Sequence, residues 1–449
     1  MAIISISADT STPITANTSG NIWIVKTNVE VTTTGDAING TGSNGSKTFL
    51  IHGHLIAEGG DGIDLGDSVL DTGGSNRVHI LSTGSIFAEE SAIESAGGFL
   101  DLTNEGSLFS IATTISAEDS GNVIVNTGTI TSSTSFGIRA ESGNNTIGNG
   151  GAITSAGAGI GAFGGFSEVS NTGTITSSNG FGIFATNGNN TIANGGAITA
   201  AGNGIFASGT GNLIVNSGSV VTSNLFATSA AVNIVSLTGE SNRLVNGGEL
   251  SGQLNAVLGG DGNETVVNRG AINGDVDLGG GNDLFKGGGG SVDGDIRGRG
   301  GNDTLIGGNS DDAIFGDFGN DLLKGGDGDD TLTGGNGRDV MRGGLGSDTF
   351  DFNGVNESAV GGQRDRIEDF SKVEDFIDLS TIDARTGAGN QAFDFIGTQG
   401  FHGVKGELRA TATGSGNTII AGDTDGDGNA DFQILVQGVT GLTAGDFLL

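Results

Sequence analysis

Glycine recurs along this chain with two fixed periods, and periodic glycine narrows the fold more than any other feature of the sequence. The first period is marked by Asn-x-Gly-x-apolar. Its glycines are 106, 128, 151, 173, 196, 218, 248 and 270, with Gly84 one step earlier, and the steps are 22 or 23 residues apart from one of 30. Two further markers run in phase. One is Gly-Ile at Gly137, Gly159, Gly182 and Gly204; the other is an apolar residue two places after Asn at Ile124, Ile147, Ile192, Ile214 and Leu244. Three short apolar clusters per period, each alternating, read as three strands of one rung. A fixed period of this length implies a stacked solenoid. Gly and Asn between the clusters supply corners. A long helix is excluded, because Gly, Ser, Thr and Asn dominate.

Two side-chain columns follow from this stacking. Asn126, Asn149, Asn171, Asn194, Asn216, Asn246 and Asn268 fall at one corner, where stacked amides form a hydrogen-bonded ladder. Thr129, Thr131, Thr174 and Thr176 flank inward Ile and point outward, as a flat ice- or glycan-binding array would. Ala152 and Ala197 at equivalent sites break that array.

The second period is nine. It runs through Gly298–Ile306, Gly307–Phe315, Gly316–Lys324, Gly325–Thr333, Gly334–Arg342 and Gly343–Asp351. Position six is Asp303, Asp312, Asp321, Asp330, Asp339 and Asp348 in turn, and position eight is always apolar. Outlying units place Glu264 and Asp283 at position six. Six residues of turn then alternate with a three-residue strand whose middle side chain points in. Carboxylate and carbonyl oxygens without His or Cys form a hard-cation site, favouring Ca²⁺ over Zn²⁺ or copper. Asp327 and Asp329 of the most acidic turn join the candidate ligands. Without a cation the stacked carboxylates repel and are costly to desolvate, so this region is expected to fold on Ca²⁺ binding. Residues 258–449 hold 33 acidic and 13 basic side chains, most of the net charge of −34.

These nonads resemble the repeats-in-toxin (haemolysin-type) calcium-binding repeat, GGxGxDxUx, whose fold is a right-handed parallel β-roll. The resemblance implies Ca²⁺ ligation between successive turns by Asp303, Asp312, Asp321, Asp330, Asp339 and Asp348, with Asp283 beside them. Ser310 replaces a Gly in its unit, as Arg299 and Asp317 do in theirs. After Asp351 apolar segments return. They resemble the C-terminal domain that follows such repeats in serralysin-type proteases, and Asp446-Phe-Leu-Leu449 resembles the uncleaved signal of type I (ABC-transporter) secretion. The resemblance spans roughly residues 259–449, and the rungs before it resemble autotransporter-like β-helices. Asp423, Asp425 and Asp427 begin a Ca²⁺-type loop with Gly428 at its sixth place. Ile434 stands where an EF-hand has Glu, so Asp431 is the substitute ligand, and an Asp-Gly hairpin turn is the alternative.

Composition closes other routes. The chain has no Cys, so it has neither disulfides nor thiolate sites. Its acidity argues against nucleic acid, and no apolar run reaches the ~18 residues of a membrane span. No secretory signal opens the chain. His-Glu-x-x-His is absent, so the protease reading fails. His52 and His54 alternate as if on one side of a strand. A lyase, epimerase or glycosidase on the β-helix is the enzymatic rival, but residues 1–257 offer only Lys26, Lys47, Arg77, Arg139 and Arg243 to neutralise a uronate. Glu89-Glu90 and Glu118-Asp119 are the adjacent acid pairs.

The expected architecture is all-β. N-terminal strands or a cap (1–45) precede a three-faced parallel β-helix (46–272). This continues into a Ca²⁺ β-roll (273–351) and a β-rich cap carrying the secretion signal (352–449). The expected function is that of a secreted, Ca²⁺-binding structural or adhesive extracellular protein. Its expected partners are calcium ions, the type I secretion machinery, and other copies or cell-surface glycans.

Overall fold

The computed structural model describes residues 2–40, 45–66, 74–223, 229–237, 239–385 and 390–449. The chain is an all-β parallel β-solenoid, and it divides into two compact units: Met1–Val235 with Gly248–Leu254, and Ser236–Gly247 with Asn255–Leu449. No helix among the described residues is long and apolar enough to cross a membrane.

In the first unit each rung has three strands. Val123–Asn126, Thr129–Ser132 and Ile138–Ala140 form one rung; Thr146–Asn149, Ala152–Ser155 and Ile160–Ala162 form the next. Parallel pairing sets Ile124 on Ile147, Ile130 on Ile153 and Ile138 on Ile160. Those isoleucines are buried, because strand alternation sends every second side chain inward. Residues before 46 continue the parallel pairing: Ile3–Ile6 pairs with Ile22–Val25, which pairs with Thr48–Ile51, although Ile3 and Ile4 are exposed. Trp23 is buried there and stacks on Phe49 at 5.3 Å.

The corner glycines are fixed by close approach between rungs. A Cβ on Gly151 would lie 2.1 Å from the Gly128 carbonyl oxygen, and one on Gly173 would lie 2.0 Å from that of Gly151. Gly53 occupies the same kind of corner, with the Val29 carbonyl oxygen 2.4 Å from the Cβ position. This corrects the reading of His52 and His54. They flank a corner, after Thr48–Ile51 and at the start of His54–Ala57, so they do not share one face of a strand.

The asparagines at the adjoining corner form the expected ladder. Asn104 donates to Asn126 and Asn126 to Asn149 at 2.7 Å, and the chain of bonds runs on through Asn171 and Asn194 to Asn216. These amides are buried. Each internal one both gives and receives a hydrogen bond, so no amide goes unsatisfied, an omission that costs about 1–3 kcal/mol. Outside, Thr129, Ala152, Thr174 and Ala197 alternate in register as expected. The neighbouring column is unbroken Thr: Thr131, Thr154, Thr176 and Thr199.

In the second unit the nonads take two per turn. Thr304 pairs with Leu322 and Leu322 with Val340, while on the opposite sheet Ala313 pairs with Thr331 and Thr331 with Thr349. Position eight of every unit, from Leu305 to Phe350, is fully buried. The strands are longer than the three residues expected, for example Ala313–Gly319 and Thr331–Gly337. After Asp351 the pattern changes. Glu407–Ala412, Thr418–Asp423 and Phe432–Val436 form an antiparallel meander. Its last strand lies parallel on Asp365–Ile367, and Phe447–Leu448 pairs with Phe376–Asp378.

Candidate metal centre

Turns of two nonads bring the position-six aspartates into two buried columns. In the first, the backbone N–H of Asp283, Asp303 and Asp321 donates to Oδ1 of the aspartate one turn later, at 2.7 Å each time. In the second, Asp312 donates to Asp330 at 2.8 Å and Asp330 to Asp348 at 3.0 Å. This uses one oxygen of Asp303, Asp321, Asp330, Asp339 and Asp348. Oδ2 of Asp283, Asp303, Asp312, Asp321, Asp330, Asp339 and Asp348 is buried and has no hydrogen-bond partner.

Oxygens so placed hold protons strongly. Burial, the largest cause throughout, pushes Asp303, Asp312 and Asp348 up to about 6 and Asp321, Asp330 and Asp339 up to about 7. Asp283 is pushed up to about 9, with Asp303 and Glu264 adding repulsion. Buried carboxylates cost little as anions only when a counter-charge sits beside them.

The backbone around these oxygens fits a small hard cation. The first glycine of each unit faces its own aspartate: a Cβ on Gly325 would lie 2.0 Å from Asp330 Oδ2 and 2.6 Å from the Gly343 carbonyl oxygen. The same holds at Gly316, 2.4 Å from Asp321 Oδ2 and 2.5 Å from the Gly334 carbonyl oxygen. Carboxylate and carbonyl oxygens of successive turns therefore converge on space that only glycine leaves open. Such an all-oxygen donor set suits Ca²⁺. The substituted turns keep the columns. Arg299 and Asp317 adopt φ of 74° and 71° where other units have glycine, and Asp312 holds its place behind Ser310.

Two members of these columns escape the nine-residue rule. Asp365 accepts from the Asp339 N–H at 2.7 Å, is fully buried with a free Oδ2, and is pushed up to about 8, chiefly by burial. Asp375 accepts from the Asp348 N–H at 3.0 Å, and its other oxygen takes the Ser371 N–H. They follow gaps of 26 and 27 residues, where a sequence period gives no signal. Glu264, at position six of an outlying unit, is buried beside Asp283, whose Oδ1 accepts its N–H at 2.6 Å.

Asp327 and Asp329 lie outside the buried columns. Both are exposed, and Asp329 accepts from the Ser347 N–H at 2.7 Å in an outer column. In the C-terminal loop, Asp423, Asp425 and Asp431 present oxygens within 4.8 Å of one another. Asp423 accepts from the N–H groups of Gly426 and Gly428, and Asp431 from Thr424. Asp427 stands apart, exposed and bonded to the Asn429 N–H at 2.7 Å. The loop joins antiparallel strands that pair Gly422 with Phe432, so it is a long hairpin connection and not a tight Asp-Gly turn. In the first unit Glu89, Glu90 and Glu118 are exposed, and Asp119 accepts from the Gly98 N–H.

Residues 293–323 and 318–350 match the family described as the RTX calcium-binding nonapeptide repeat (4 copies). No curated protein sequence is similar to the chain. Among solved structures the chain is similar to the solution structure of one repeat subunit, R3, of the Azotobacter vinelandii mannuronan C5-epimerase. The identity is 27%, over 33% of this chain and 78% of that one, with a TM-score of 0.25. A second subunit, R2, of the same enzyme is 30% identical over 32% of this chain and 90% of that one, with a TM-score of 0.24.

Proposed function

We propose that this chain is a secreted, Ca²⁺-binding structural or adhesive protein of the extracellular space whose nonad region folds when the ion binds after export. The observation that carries the reading is the run of buried, partnerless Oδ2 atoms in two stacked columns. RTX nonapeptide repeats supply its chemical class. Asp283, Asp303, Asp321, Asp339 and Asp365 hold ions in one column and Asp312, Asp330 and Asp348 in the other, with turn carbonyls completing each set. Bound Ca²⁺ supplies charge neutralisation between turns and no reaction. Asp423, Asp425 and Asp431 form a further Ca²⁺ loop.

In this reading low cytosolic Ca²⁺ keeps the acidic region unfolded for a type I exporter, and the C-terminal segment carries the address. Outside, Ca²⁺ near the millimolar range of extracellular modules folds it. The rung-built first unit acts as scaffold in a surface layer, filament or matrix. Circular dichroism of the full chain tests this. Sheet content is expected to rise steeply with Ca²⁺ and to fall on chelation; equal sheet content in both conditions overturns it. Negative-stain microscopy with and without Ca²⁺ tests the assembly role, for which Ca²⁺-dependent fibres or sheets are expected.

A further inference from the structure

The rung formed by residues 2–16 leaves a row of backbone groups facing away from the rest of the solenoid. Among the described residues Ile3–Ile6 has one strand neighbour, Ile22–Val25, in parallel register. The Ala2 carbonyl accepts from the Ile22 N–H at 2.9 Å and the Ile6 carbonyl from the Lys26 N–H at 3.1 Å. Strand alternation therefore turns the N–H and C=O of Ile4 and Ile6 toward that neighbour, and those of Ile3 and Ser5 away from it. The inward side chains of this rung are also uncovered. Register sets Ile4 on Trp23, Ile6 on Val25 and Ile14 on Ile38. Trp23, Val25 and Ile38 are buried, whereas Ile4 is 36% exposed and Ile6 and Ile14 are half-buried. Ile3, on the outer face, is 69% exposed.

An open strand edge recruits another strand unless charge or proline blunts it. The other two edges of this rung carry such devices. Asp9 precedes the bridge of Thr10 to Val31, and Pro13, the chain's only proline, precedes Ile14–Thr15. Ile3–Ile6 has neither. Its open groups are self-complementary about a two-fold axis. Set antiparallel, Ile3 of one copy lies opposite Ser5 of the other and exchanges two N–H···O=C bonds with it, and Ser5 does the same with Ile3. Ile4 then meets Ile4 across the axis on the core side, because residues directly opposite share a face. The two cores become continuous, and their exposed apolar ends leave water. Head-to-tail stacking finds no such edge at the C-terminal rungs, where Phe432–Val436 covers Asp365–Ile367 and Phe447–Leu448 covers Phe376–Asp378.

We infer that a second copy of this chain docks on Ile3–Ile6, joining two solenoids head to head through an antiparallel strand pair. As a step of assembly the contact rests on the scaffold role proposed above. The surface lies in the first unit, so pairing is expected with or without Ca²⁺, whereas fibres or sheets are expected in Ca²⁺ only. In chelator, sedimentation of the full chain of 44.4 kDa is expected to show twice that mass. The chain has no Cys, so Ile4→Cys introduces a lone thiol. Cα atoms of a non-hydrogen-bonded antiparallel pair lie about 4.5 Å apart, within disulfide reach, and mild oxidation is expected to give a covalent dimer in both buffers. Thr129→Cys, on the exposed outer face, is expected to give none. Ser5→Pro removes an outward N–H from each copy and no bond to Ile22–Val25. It is expected to weaken the dimer at least about tenfold at unchanged sheet content, while Ser5→Thr leaves it intact. If Ser5→Pro does not fold, the Ile4→Cys cross-link decides. A monomeric wild type, equal cross-linking at positions 4 and 129, or a folded Ser5→Pro chain as dimeric as wild type overturns the inference. Dimers without Ca²⁺-dependent fibres or sheets sink the assembly role alone, whereas fibres whose Ile4→Cys chains do not cross-link sink this docking surface alone.

Discussion

The two units solve one problem with different chemistry. Each stacks a polar side chain at the same point of every turn, out of water. In the first unit the side chain is an amide. Asn149 receives the Nδ2–H of Asn126 and gives its own to Asn171, so the ladder is satisfied and neutral along its length. In the second it is a carboxylate, which only accepts. The backbone N–H of Asp321 serves one oxygen of Asp339, and the other faces no donor. The amide column is complete as folded; the carboxylate column is complete only with a cation.

Chelation breaks the comparison most sharply. Hydrogen exchange in excess chelator is expected to show loss of protection over the strands from Leu284 to Asp378. Protection should persist from Val123 to Asn216, where the ladder needs no ion. Uniform loss across both units, or none in either, would refute the distinction.

Acid should do part of what calcium does. The folded column aspartates titrate from about 6 to about 9, for instance Asp321 at about 7, against about 3.9 unfolded. Between those values the ion-free fold binds more protons than the unfolded chain, so its stability falls as pH rises. The contribution is fully present below the unfolded value and lost as pH passes the folded one. For a single such group it is on the order of 4 kcal/mol. In chelator, sheet content is therefore expected to be greater at pH 5 than at pH 8. In Ca²⁺ the midpoint should move to higher Ca²⁺ at pH 5, because protons and ion compete. The first unit's Asn ladder gives no such dependence.

Exchanging the chemistry within the first unit comes next. Asn171→Asp would keep the bond received from Asn149 and lose the one given to Asn194. It would also bury a charge among amides with no cation site. A cost of about 3–5 kcal/mol is expected, read as a lowered denaturation midpoint at pH 8 that recovers partly in acid. Calcium should not rescue it.

Much of this was legible in the sequence because solenoids turn spacing directly into position. The 22- and 23-residue steps give the Asn corner, and the nine-residue step gives position six. What escaped did so for physical reasons. Asp365 and Asp375 complete the columns across irregular loops, so contact and not period identifies them. Gly53 looks like an interruption between two histidines until the Val29 carbonyl oxygen is seen pressing on it. Asp327 and Asp329 share a turn with Asp330, but backbone alternation and turn geometry leave them outside.

The smallest effect has the most telling sign. Asp330→Asn replaces one column carboxylate with the first unit's chemistry. Its Oδ1 still accepts the Asp312 N–H, bonded at 2.8 Å in the native chain. The amide has no charge to balance, and Asp312 and Asp348 lose a repulsive neighbour. In chelator the substitution is therefore expected to stabilise the fold, by about 1 kcal/mol. In saturating Ca²⁺ it removes a ligand and should destabilise by about 1–3 kcal/mol, with weaker Ca²⁺ binding. Thermal melts of wild type and variant in the two buffers decide the matter. Crossing orders of stability support an ion-completed column. Destabilisation by the same amount in both buffers would mean that Asp330 is an ordinary buried hydrogen-bond acceptor and that its partnerless oxygen has nothing to do with calcium.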